Sequence, residues 1–165
     1  MTTRTPFNKS TLTFLGVAIG VITLDQLTKA LALKFLELYE PVQIIPGVLN
    51  FTLAFNDRAA FSLGGSNTWV FTLLASLACL FLLWVGPKFK TRGWLLMGGF
   101  ALGGVGGNLI DRLFRDPGFP NGHVVDFIQI PFNFPIFNIA DMAISSAAFL
   151  IALRIVRGDK FGGSK

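Results

Sequence analysis

Four apolar runs decide what this chain can become. They extend from about Thr11 to Leu36, Thr68 to Val85, Gly93 to Leu113 and Asn138 to Val156. Each is close to the ~20 helical residues that cross ~30 Å of hydrocarbon. Hydrocarbon offers no partner to a backbone N–H or C=O, so a segment of this kind must satisfy its own backbone as a helix. The rest of the composition agrees. Only 14% of the 165 residues are charged and 52% are apolar, where a soluble domain carries about 25% charged residues. A mean hydropathy of +0.62 places the chain among integral membrane proteins with a single domain, residues 1–157, followed by a polar tail.

The net charge of +5 matters through its distribution. Arg4 and Lys9 precede the first run; Lys88, Lys90 and Arg92 separate the second from the third; Arg154, Arg157, Lys160 and Lys165 close the chain. Cations flanking apolar runs are a topology signal, not a nucleic-acid surface. The positive-inside rule predicts both termini in the cytoplasm, so loops 37–67 and 114–137 face outward. The first run is too long for a cleaved signal peptide and lacks a small-residue cleavage site, which predicts that it stays inserted. Cys79 is the single cysteine, so no disulfide forms within the chain. With one His besides, a zinc site is not expected, and His123 reads as a loop residue.

The outer loops carry apolar sequence of their own. Val48 to Phe55, after the Pro46-Gly47 turn signal, reads either as a strand or hairpin or as a loop anchored by apolar side chains. Phe132 to Phe137 is aromatic and contains Pro135, which suits an interfacial lead-in to the fourth run. The tail from Gly158 is polar and glycine-rich, and disorder is expected there. No internal repeat is visible.

Polar residues near or within the apolar runs are the candidates for chemistry. A carboxylate at the centre of a membrane helix costs roughly 2.5–3.5 kcal/mol, less near the interface. Asp126, in Gly-His-Val-Val-Asp-Phe, and Asp141, at the start of the fourth run, therefore stand out as a pair for acid–base work near the outer surface. Asp25 and Lys29, spaced i, i+4, share a helix face and read as a mutually neutralising pair or as the polar wall of a site. In the third run Gly103, Gly104, Gly106 and Gly107 precede Asn108, Asp111 and Arg112. Such glycines let helices approach closely, and an ion pair of Asp111 with the adjacent Arg112 is expected at the helix end. No phosphate-binding pattern surrounds them. Asn138 and Asp141, spaced i, i+3, read first as a helix cap, with Asn138 also placed to orient a carboxylate.

Together, Asp25-Gln26-x-x-Lys29, Asn56-x-x-Ala59-Ala60-Phe61-Ser62, Gly-Gly-x-x-Gly-Asn108-x-x-Asp111-Arg112, Val124-Val125-Asp126-Phe127 and Phe134-Pro135-x-Phe137-Asn138-x-Ala140-Asp141 resemble the bacterial lipoprotein signal peptidases (type II signal peptidases) over about residues 12–156. The resemblance implies an all-α membrane core of four helices, both termini inside, with a small extramembrane β-sheet cradle. It implies an aspartyl endopeptidase of the inner membrane. Such an enzyme removes the signal peptide of a lipoprotein precursor just before its diacylglyceryl-modified cysteine and needs no cofactor; nothing in the sequence requires more than a monomer. Asp126 and Asp141 match the family's catalytic aspartates, and Asp25, Lys29, Asn56, Asn108, Asp111, Arg112 and Asn138 its supporting positions. Two departures stand out. Arg58 occupies a position that is usually glycine, and glycine supplies backbone freedom that arginine does not. The interval from 126 to 141 is short, as from a trimmed outer loop. An inactive lipoprotein-binding homologue and a small proton- or ion-coupled transport protein remain alternatives at this point. A lid role for loop 39–66 is a further expectation, from its length and its Gly64-Gly65 pair.

Overall fold

The computed structural model describes residues 9–56 and 68–163. Arg58 and the rest of that motif from Ala59 to Ser62, as well as Gly64-Gly65, lie outside the described residues. Helix α1 covers Lys9–Phe35, α2 Thr68–Val85, α3 Arg92–Phe114 and α4 Ile139–Val156. All four are long and apolar enough to cross a membrane. Their bounds fall within two residues of the four apolar runs.

Helix α3 is the centre of the bundle and packs against α1, α2 and α4. Its glycines make that possible. A Cβ on Gly104 would stand 2.5 Å from the Ala140 carbonyl oxygen of α4 and 2.7 Å from Ile144 Cγ1. Because the obstacle is backbone, Gly104→Ala is expected to destabilise the protein by about 1–3 kcal/mol; a thermal melt in detergent that matches wild type would refute this seam. The buried stripe of α1, Phe14, Ala18, Val21, Asp25, Lys29 and Ala32, repeats at three- and four-residue steps and so faces one direction. Leu12, Ile19, Leu24, Leu27 and Leu31 of the same helix are exposed. Helix α2 buries only Thr68, Thr72 and Val85 and turns Trp69, Leu73, Leu74, Leu77, Leu80 and Trp84 outward. Leucines on the outside and small or polar groups within suit hydrocarbon as the solvent.

Strands β1 (Val42–Ile45), β2 (Leu49–Asn56) and β3 (Val124–Gln129) form one antiparallel sheet in the order β1-β2-β3. The strand-or-hairpin reading of 48–55 therefore holds, and the sheet gains a third strand from Val-Val-Asp-Phe-Ile-Gln, whose β-branched residues favour it. Leu53, Val125 and Phe127 pack on Ala32 of α1, which seats the sheet on the helices. Phe137 then bridges to Ile128 through hydrogen bonds of 2.8 and 3.0 Å. That bridge brings the start of α4 beside the middle of β3.

At the other end of the bundle, the tail departs from its expected disorder as far as Gly163. The Phe161 ring meets Trp94 edge-on at 5.0 Å and Phe89 at 5.8 Å, and Lys90 N donates to Gly162 O at 2.8 Å. One aromatic side chain in a polar, glycine-rich tail is enough to dock it, and composition alone does not reveal that.

Candidate active site

Asp126 sits mid-strand in β3, 3% exposed. Asn138 is the N-cap of α4: its Oδ1 accepts from Asp141 N at 3.0 Å, while Asp141 Oδ2 accepts from Asn138 N at 3.2 Å. This reciprocal pair satisfies two donors at a helix start, with aspartate where a glutamate is more usual. The cap has a second duty. Asn138 Nδ2 donates to Asp126 Oδ1 at 2.6 Å and also lies within reach of Asn108 Oδ1 and Val125 O. One carboxamide thus ties Asp126 to Asp141.

Each aspartate then receives a further amide. Asn56, the last residue of β2, donates to Asp126 Oδ2 at 2.9 Å, and Asn108 of α3 donates to Asp141 Oδ1 at 2.8 Å. All four carboxylate oxygens of the pair accept a hydrogen bond, and none of these bonds comes from a cation. Burial and then the neighbouring Asp141 carboxylate push the Asp126 pKa up to about 7, against the lowering effect of the Asn56 and Asn138 donors. A carboxylic acid that titrates near neutrality beside a second carboxylate is the condition for sharing one proton.

Behind the pair lies a buried ionic floor. Lys29 Nζ has three protons and meets three acceptors at 2.8 Å: Asp25 Oδ2, Asp111 Oδ2 and Asn108 Oδ1. The side chains of Lys29, Asp25 and Asp111 are fully buried. The ammonium holds the oxygen end of Asn108, so the amide's N–H2 end is turned to Asp141. Asp25 Oδ1 accepts from Ala140 N at 3.0 Å, which serves another open N–H in the first turn of α4. Asp25 and Lys29 are therefore both a neutral pair and a support for the site. A Cβ on Gly107 would stand 2.6 Å from Asp25 Oδ2, so glycine is what lets this carboxylate lie against α3.

The expected Asp111–Arg112 ion pair is not formed. Adjacent residues on a helix point in different directions, and Asp111 turns inward to Lys29 and to Arg115, whose Nε lies 2.6 Å from Asp111 Oδ1. Arg112 points instead into a cleft of about 540 Å³, which it lines with Asn56, Asn108 and Asp141 on the polar side and with Phe134, Phe137 and Met142 on the apolar side. Its Nη1 reaches Asn108 O at 3.5 Å, and its buried Nε finds no acceptor among the described residues. All nine residues singled out in the sequence thus fall at this site or in its floor.

A family profile for signal peptidase (SPase) II matches residues 17–157. Lipoprotein signal peptidases of Leifsonia xyli and Mycobacterium tuberculosis are each 41% identical, over 90% and 89% of this chain and 69% and 72% of theirs. The chain belongs to the lipoprotein signal peptidases. It is a membrane hydrolase, a protease of lipoprotein processing. A third family member, from Mycobacterium leprae, is 42% identical over 89% of this chain and 73% of its own. Two bacterial membrane enzymes solved by the in meso method share the fold. One has a TM-score of 0.78 at 28% identity and covers 93% of this chain and 94% of its own. The other has a TM-score of 0.77 at 27% identity and covers 87% and 92%.

Two residues of this signal peptidase do not come forward as site residues from sequence. Gln26 Nε2 donates to Asp111 Oδ1 at 3.0 Å and to Gly107 O at 3.1 Å, and Arg115 supplies the second cation of the floor. The i, i+4 spacing of Asp111 and Arg115 is the available signal. The closer Arg112 hides it.

Proposed function

We propose that this protein is an aspartyl endopeptidase that cuts lipoprotein precursors immediately before the diacylglyceryl-modified cysteine, with Asp126 and Asp141 as its catalytic pair. The observation that carries this reading is the pair's setting: two carboxylates joined through Asn138 and surrounded by neutral amide donors, with Asp141 lining a largely apolar cleft. The ionised carboxylate takes a proton from water as it attacks the scissile carbonyl. The protonated one polarises that carbonyl and then protonates the leaving amine. The two titrate as a unit, so the roles belong to the pair. Arg112 presents a guanidinium in the same cleft, where it can stabilise charge on the carbonyl oxygen. The substrate's lipid chains lie along the apolar side, and no cofactor takes part. The charge pattern supports cytoplasmic termini and a site on the opposite, outer face of the membrane. Membership of the family favours the bacterial inner membrane, with the site toward the periplasm or exterior, and the site itself calls for no more than a single subunit.

The transport alternative loses support from the floor. Every proton of Lys29 is engaged and both of its carboxylate partners are paired, which leaves no open relay.

Activity is expected to fall on the alkaline side with an apparent pKa near 7, as the shared proton is lost. Stability should follow the same group. The Asp126 pKa is raised from 3.8 to about 7 on folding, so between those values the native state holds more proton than the unfolded chain. Stability then declines as pH rises through that window. Melts in detergent at a series of pH values check this. The Asp126→Asn variant should lose much of the decline, and an equal slope in both proteins would count against the assignment.

A further inference from the structure

The end of the bundle that carries the aspartate pair has a second hollow, on the other side of the sheet. Successive residues of a strand point to opposite faces. Asn56 and Val124 line the catalytic cleft, while the residues just before them, Phe55 and His123, line this hollow. Leu33, Phe114, Arg115 and Asp116 complete its wall around about 430 Å³, within the ~300–1,000 Å³ of small-molecule sites.

Its polar side holds donors and one acceptor. Arg115 Nε lies 2.6 Å from Asp111 Oδ1 and Nη2 reaches Gln26 Oε1 at 3.4 Å, but Nη1 meets no acceptor among the described residues. A guanidinium has five N–H groups, so one edge of this part-exposed side chain is open to an anion. The His123 imidazole offers a further N–H in either protonation state and bonds to no described side chain or backbone group. The Asp116 carboxylate is likewise unpaired among the described residues. His123 N donates to Asp116 O at 2.9 Å, which keeps the two residues together. Leu33, Phe55 and Phe114 form the apolar side, and all three are exposed. Leu33 lies two residues before the end of α1, and Phe114 is the last residue of α3. Both helices are able to cross a membrane. The hollow therefore sits where hydrocarbon gives way to water, at the level of interfacial aromatics and lipid head groups.

We infer that this hollow binds the head group of a glycerophospholipid from the adjoining leaflet, and that it selects a zwitterionic one with a primary ammonium, as in phosphatidylethanolamine. Arg115 and His123 donate to the phosphate, as charge-assisted bonds of this kind favour. Asp116 accepts from the ammonium. Leu33 and Phe114 border the glycerol and the first carbons of the acyl chains. Charge decides between lipids. The cation of Arg115 is already matched in the floor, where Asp25 and Asp111 face Lys29 and Arg115. Asp116 is then the unmatched charge of the hollow. A head group with a phosphate alone sets a second negative charge beside it; one with an ammonium supplies the counter-ion. No step of peptide cleavage enters this inference, so it stands apart from the peptidase reading.

The test uses purified full-length protein in dodecyl maltoside micelles that contain equal amounts of dioleoyl phosphatidylethanolamine and dioleoyl phosphatidylglycerol. Native mass spectrometry reads which lipid stays bound. Arg115 also serves the floor, so the variants leave it in place. Wild type should retain one phosphatidylethanolamine in about tenfold preference to phosphatidylglycerol, the worth of one hydrogen bond to a charged group. In Asp116→Asn that preference should fall close to one. In His123→Ala both lipids should be held about fivefold less tightly, from loss of a phosphate donor. Soluble glycerophosphoethanolamine, which lacks acyl chains, should not displace the lipid at equal concentration. Equal retention of the two lipids by wild type, a preference unchanged in Asp116→Asn, or unchanged retention in His123→Ala would overturn the site. Displacement by the soluble phosphodiester would overturn the lipid as its occupant.

Discussion

Asp126→Asn and Asp141→Asn are each expected to lower cleavage of a diacylglyceryl-modified precursor by at least about a thousandfold, while the protein stays folded. An amide neither takes a proton from water nor gives one to the leaving amine. The structural cost is small, because each aspartate oxygen accepts from an amide donor. Asparagine keeps one such acceptor and sets its N–H2 against the other donor, a loss on the order of 1 kcal/mol. A gel-shift assay reads the first effect and a thermal melt the second. Turnover retained in both variants would end the dyad assignment. Product from neither variant nor the wild type, with the wild type folded, would favour an inactive homologue and make Arg58→Gly the next substitution to test.

Lys29→Met is expected to be the most damaging single change to stability, by about 3–5 kcal/mol. Methionine fills similar volume, so packing is not the reason. The substitution leaves Asp25 and Asp111 in a fully buried site without the ammonium that touches both. It also frees Asn108, whose oxygen Lys29 holds, so that its amide can turn away from Asp141. Addition of Asp25→Asn to Lys29→Met removes one uncompensated carboxylate and should recover part of the loss. A melting temperature in detergent that is unchanged by Lys29→Met would mean that the buried charges are not what holds α1 to α3. No recovery in the double variant would locate the damage elsewhere than in Asp25.

Much of this molecule is legible in its sequence because hydrocarbon leaves few choices. A run such as Thr68 to Val85 can only be a helix, and the observed α2 has those bounds. The Asn138 cap is legible as well, since an asparagine three residues ahead of an aspartate carries a local mechanism. Strand β3 is harder. Six residues bearing an aspartate give a weak period, and their partner strand β2 is remote in sequence: Asn56 and Asp126 are 70 positions apart. The partner of Asp111 is misjudged from sequence because adjacency along the chain is not adjacency on a helix. Lys29 arrives from another helix and Arg115 from one turn on. That Asn138 orients a carboxylate is expected from the sequence, but that this carboxylate is Asp126 depends on the Phe137–Ile128 bridge, which no local pattern announces.

The ionic floor also bears on how such a chain reaches the bilayer. Asp25 and Lys29 are partners within α1, and Asp111 and Arg115 are partners at the end of α3, both at i, i+4. Each helix therefore carries a counter-ion for its own buried carboxylate and can leave the translocation machinery with that carboxylate already matched, before the other helix exists. The contact of Lys29 with Asp111 forms only when the two meet. Assembly then adds a neighbour to carboxylates already matched, and neither Asp25 nor Asp111 has to wait in lipid for a helix still being synthesised.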